Sequence, residues 1–84
     1  MKNDIFDDMV RAWGSPVVAR REAKKFSGGI ADTKALANAD CEGRGPKGKF
    51  NCGRFAVYPA ESLAAWLRAK SSFKGKDQEA SNEL

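Results

Sequence analysis

Hydrophobic and polar positions change their spacing along this chain, and each change marks the edge of an element. Ile5, Phe6, Met9, Val10 and Trp13 fall on one helical face, so a first helix is predicted over 3–13 with Asn3 or Asp4 as its cap. Gly14-Ser15-Pro16 ends it, because proline lacks an amide hydrogen and turns Ser15 away from helical geometry. Val17 and Val18 read as a brief extended lead-in.

From Ala19 to Ser27 the residues favour a helix with Ala23 and Phe26 inward and Arg20, Arg21, Lys24 and Lys25 outward, stopped by Gly28-Gly29. Asp32 suits the N-cap of a second short helix from Thr33 to Cys41, whose main core anchor is Leu36. Two short helices across a glycine turn, over 19–41, suggest helix-turn-helix geometry. Gly43-Arg44-Gly45-Pro46-Lys47-Gly48 holds too much Gly and Pro for regular structure and reads as loop.

Phe50 and Cys52, then Phe55 and Val57, alternate with Lys49, Asn51, Arg54, Ala56 and Tyr58 about Cys52-Gly53-Arg54, which predicts a β-hairpin over 49–58. Pro59 stands where a last helix over 60–70 begins, and Leu63, Trp66 and Leu67 give that helix its core stripe. Beyond it, 71–84 is polar apart from Phe73 and is expected to be a disordered tail. The predicted fold class is therefore mainly α with a small β-hairpin, in one domain over 1–70.

Composition narrows the function more than the fold. With 84 residues, 42% hydrophobic and 31% charged, the chain suits one ordinary globular core. No apolar run approaches the ~20 residues of a membrane span, and Met1-Lys2-Asn3-Asp4 does not suit a signal peptide, so a cytoplasmic protein is expected. Cys41 and Cys52 are expected as reduced thiols, small and buried or half-buried. With no His, one Cys pair supplies only half of a usual zinc site, and the glycine-rich loop lacks P-loop spacing. No enzyme, catalytic residue, metal or cofactor is expected.

The net charge of +4 is unevenly spread: residues 15–58 sum to +5 and the rest to −1. A basic middle suits a face that binds a polyanion, and equally a solubilising surface.

The stretch from Val18 to Lys70 resembles the excisionase and AlpA-type branch of MerR-like winged helix-turn-helix proteins of phages and mobile elements. The resemblance is carried by Glu22-Ala23, Leu36, Gly43-Arg44-Gly45-Pro46, Gly53-Arg54, and Tyr58-Pro59 with Leu63, Trp66 and Leu67. It implies a DNA-binding protein whose second helix enters the major groove, with the hairpin as a wing on the backbone or neighbouring minor groove. By position, Thr33, Lys34, Ala37 and Asn38 would then face base edges, Asn38 being suited to adenine and equally to a solvated helix face. Arg54 at the wing turn would neutralise phosphate or enter a narrow minor groove, and Lys47 and Lys49 beside it, with Arg20, Arg21 and Lys24 on the first helix of the pair, would meet phosphates.

Two departures stand out. Ala19 replaces the expected hydroxyl cap, and Asp32, Asp40 and Glu42 place acids on or beside the presumed recognition helix. The role implied is a regulator of transcription or of recombination directionality that binds double-stranded DNA, self-associates on it, and works with an integrase or RNA polymerase. The alternative is a protein-interaction module that keeps the winged fold without DNA affinity and docks through the first helix.

Overall fold

The computed structural model describes residues 4–71. Within them lie four α-helices and a three-stranded antiparallel sheet, in the order α1 (Ile5–Trp13), β1 (Val17–Ala19), a 3-10 turn (Arg20–Glu22), α2 (Ala23–Phe26), α3 (Thr33–Cys41), β2 (Phe50–Cys52), β3 (Phe55–Pro59) and α4 (Ala60–Lys70). The domain is mostly helical. Among the described residues no helix is long and apolar enough to cross a membrane.

The helix starts follow local chemistry. Asp4 caps α1, its side chain accepting from the backbone of Phe6 and Asp7 while the Asp7 side chain accepts from the Asp4 amide. The expected alternative cap, Asn3, lies outside the described residues. Asp32 caps α3 by accepting from the Ala35 amide at 3.3 Å. Pro59 precedes α4, and the Ala60 amide donates to the Pro16 carbonyl at 2.7 Å, tying α4 to the lead-in of β1.

The expected helix from Ala19 to Ser27 is shorter and later. Ala19 ends β1, the chain then makes a single 3-10 turn, and α geometry runs only through Ala23–Phe26. Ala19 offers no side chain to satisfy the first amides, which agrees with a tight 3-10 start. Ser27 closes the turn to α3 from inside: buried, its hydroxyl donates to the Ala23 carbonyl at 2.8 Å and accepts from the Ala31 amide at 2.8 Å.

The sheet corrects the predicted two-stranded hairpin. β1 pairs with β3 through Val17↔Pro59, Val18↔Tyr58 and Ala19↔Val57, giving the strand order β1-β3-β2. The pattern of faces also shifts. Tyr58, counted on the polar side of the hairpin, is fully buried beside Val18, whereas Phe50 and Phe55 are 45% and 42% exposed. The cause is position: α4 packs on β1 and β3, whereas β2, paired to β3 alone, is exposed at all three of its residues. Gly53 supplies the positive φ, +64°, that lets a two-residue turn join Cys52 to Phe55.

Phe6, Val18, Ala23, Phe26, Leu36, Tyr58, Leu63 and Leu67 belong to one core cluster, with Met9, Val10, Trp13 and Trp66 packed against it partly buried. Trp66 is thus at the core's edge, its indole N–H donating to the Arg44 carbonyl at 2.8 Å. Ile5 leaves the predicted stripe and is 59% exposed. Cys41 and Cys52 are free as expected but exposed rather than buried, because each sits on an outward-facing part of α3 or β2. Ser71 ends α4 by donating its hydroxyl to the Leu67 carbonyl, and the rest of the predicted tail, 72–84, lies outside the described residues.

An ion-pair cluster fastens α1 to α4. Arg68 donates through Nε to Asp4 Oδ2 at 2.7 Å, through Nη2 to Asp4 Oδ1 at 2.8 Å, and to Asp7 Oδ1 at 3.2 Å. The Arg68 hydrogen bond holds the Asp4 carboxyl at about 2, below its ordinary 3.8, and the Phe6 and Asp7 amides add to the effect. A folded value below the unfolded one means that this stabilisation is complete above about pH 4 and is lost as pH falls through about 2. Thermal melts followed by circular dichroism should therefore show a midpoint that drops across this range, and Arg68→Ala should shallow the drop.

Candidate nucleic-acid interface

Between the start of the helix pair and the β2–β3 hairpin the surface opens into a cleft of about 470 Å³. Arg20, Arg21, Thr33, Lys49, Asn51, Arg54, Phe55 and Ala56 line it. Among the described residues that line it there are four cations and no carboxylate. The lining comes from four stretches: Arg20 and Arg21 from the 3-10 turn, Thr33 from the first residue of α3, Lys49 from the strand approach, and Arg54 from the hairpin turn. Register explains two more members, since Asn51 and Ala56 are paired and share the sheet face of Val18 and Tyr58.

Two of these arginines are held in place. The Arg21 guanidinium carbon lies 4.3 Å from the Phe55 ring centroid, a cation–π contact that bridges the 3-10 turn and the hairpin. Arg20, predicted to project freely outward, instead donates from Nε to the Tyr58 hydroxyl at 3.0 Å and from Nη2 to Asp40 Oδ2 at 2.7 Å. The Tyr58 hydroxyl donates to the same Oδ2 at 2.6 Å. Arg20 and Asp40 side chains are only 28% and 12% exposed, so this pair is screened far less than a surface one. The Tyr58 hydrogen bond, opposed by burial and aided by Asp40, raises the Arg20 value above that of an ordinary guanidinium. Burial chiefly, with the bond to Asp40, pushes the Tyr58 phenol up.

The acids that the sequence sets beside α3 are all engaged. Asp32 caps the helix, Asp40 holds Arg20 and Tyr58, and Glu42 accepts from Arg44 Nε at 2.6 Å in an exposed pair. Outward on α3 lie Thr33, Lys34 and Asn38, with Ala37 half-buried; the opposite side carries Leu36 and Ala39 into the interior. This is the face that the sequence reading assigned to bases.

Of the predicted contact residues, then, Arg20, Arg21, Thr33, Lys49 and Arg54 come together in the cleft. Lys24 is exposed on α2, and Lys34, Ala37 and Asn38 continue along α3 outside the cleft lining. Lys47 is placed elsewhere: it borders an apolar groove with Pro46, Ser62, Ala65, Trp66 and Ala69, because the loop over 43–48 runs against α4 rather than along the hairpin. Asn51, Phe55 and Tyr58 were missed as participants. Their alternation within the hairpin marked them as strand residues, and nothing local pointed to partners on another element. Compared with known proteins, the chain matches no protein-family model, no curated protein and no solved structure at a significant level.

Proposed function

We propose that the chain is a non-enzymatic protein that binds double-stranded DNA as a winged helix-turn-helix, in the manner of the excisionase and AlpA-type proteins that its sequence resembles. In this reading α2 and α3 form the helix-turn-helix, α3 lies in the major groove, and the β2–β3 hairpin is the wing. The observation that carries it is the cleft in which Arg20, Arg21, Lys49 and Arg54 converge beside the N-terminus of α3. A phosphate strand running between recognition helix and wing would meet those four cations, while Thr33, Lys34 and Asn38 point away from the core toward base edges. Because Asp32, Asp40 and Glu42 are each occupied within the domain, they oppose this less than their number suggests.

Its role is regulation of transcription or of site-specific recombination, alongside RNA polymerase or an integrase. A single module of this size touches a short site, so self-association or a partner supplies useful affinity. Docking through α1 has less support, because Phe6, Met9, Val10 and Trp13 pack on the chain's own core.

Fluorescence anisotropy with duplex DNA from upstream of the chain's own gene, over a salt series, tests the proposal. Binding should weaken linearly in log salt, and Lys49→Ala or Arg54→Ala should each lower the slope by about 1 and weaken all sequences alike. Asn38→Ala should change the preference among sites and leave the slope alone. Absence of binding by the wild type at low salt refutes the proposal.

A further inference from the structure

We propose that Asp40 is a positioning residue for DNA binding: together with Tyr58 it holds Arg20 by one edge, leaving the other edge presented to a phosphate in the cleft. The inference rests on reading that cleft as a phosphate site.

A guanidinium has two hydrogen-bonding edges, a side edge of Nε with Nη2 and an end edge of Nη1 with the outer proton of Nη2. Arg20 spends the side edge inside the domain, Nε on Tyr58 and Nη2 on Asp40. Among the described residues no acceptor takes Nη1, and Arg20 is one of the residues lining the cleft. An end-on contact with two phosphate oxygens needs that edge and nothing else. Fixing the side chain on folding also removes most of the ordering cost that a free arginine would meet on binding.

The loop over 43–46 is built around the same carboxylate. A Cβ on Gly45 would run into Oδ1 of Asp40 and lie 3.0 Å from its Cγ, so only glycine there lets Asp40 keep its place. Oδ2 meanwhile takes both the Arg20 and Tyr58 donors. Asp40 is thus confined on one side by backbone and on the other by the group it positions.

Simple charge and positioning predict opposite signs, which makes the test sharp. If Asp40 acted only as a negative charge near DNA, Asp40→Asn would tighten binding. Positioning predicts a loss, because a neutral amide holds the fork weakly. The experiment measures affinity of the full chain for a short random-sequence DNA duplex at fixed low salt, in wild type, Asp40→Asn, Arg20→Ala and the double variant. Circular dichroism melts confirm that each is folded at the assay temperature. Asp40→Asn should weaken binding about tenfold or more, the scale of one charge-assisted hydrogen bond, while in the Arg20→Ala background the same change should tighten it. If Arg20→Ala does not stay folded, Arg20→Lys replaces it, since lysine keeps the charge without the fork, and the same reversal of sign is expected. Tightening by Asp40→Asn in the wild type, or an equal loss in both backgrounds, overturns the positioning role and leaves DNA binding standing. A wild type that binds no duplex overturns both.

Discussion

Gly45→Ala should destabilise the domain by about 1–3 kcal/mol, the range for forcing extra atoms into packed structure, and should weaken the proposed DNA binding beyond what unfolding accounts for. The added methyl meets the Asp40 carboxylate, whose other oxygen is held by Arg20 and Tyr58, and the Asp40 amide nitrogen stands 3.3 Å away. Neither can yield cheaply: the side chain is short and its backbone lies in α3, where the Arg44 amide also donates to the Ala39 carbonyl at 2.8 Å. The strain therefore displaces the carboxylate or lifts the loop from α4, where the Arg44 carbonyl accepts from Trp66. Urea denaturation gives the stability change, and Trp fluorescence of the folded variant reports whether the loop has moved. An alanine chain as stable as the wild type would mean that the loop relaxes freely and that Asp40 is not confined.

This glycine also shows where sequence reasoning reaches its limit. Gly45 was legible as a loop residue, but its actual task depends on a carboxylate five residues away and on donors twenty and eighteen residues from that carboxylate. Features set by neighbours in sequence were readable: Asp32 as a cap, Pro59 before α4, the Gly53-Arg54 turn, and Leu36 as the buried side of α3. Val17 and Val18 read as extended, but their pairing was not recognisable, because three residues show no alternation and their partner begins at Val57. The same distance hid the Arg20, Asp40 and Tyr58 network. Arg20 looked like any outward cation, and the acids looked like obstacles to DNA, because pairing across elements leaves no local signature. The cleft itself was half visible: its cations were named from position and charge, whereas Asn51 and Phe55 joined them only through the register of β2 on β3.

Leu36→Ala is expected to have the largest single effect on stability, about 2–5 kcal/mol. A domain over 1–70 has a total of about 4–11 kcal/mol at typical values per residue, so the variant would lose a large share of its stability. α3 explains why the loss falls so heavily there. Its interior side carries only Leu36 and Ala39 as buried residues, and Leu36 is the one large side chain, fully enclosed within the core cluster. Asp32 and Asp40 add polar ties at its two ends, but neither supplies apolar burial. With Leu36 cut to Ala, hydrogen exchange at the amides of α3 should accelerate before that of α4, which retains Leu63, Ala64 and Leu67 in the interior. Asn38→Ala, on the outward face of the same helix, should leave exchange and melting close to wild type. The pair separates the two jobs of α3. Its inner face holds the helix to the domain, and its outer face is the one proposed to select a DNA site, so a variant that alters preference without altering exchange places readout on α3, and one that alters both places the effect in the fold.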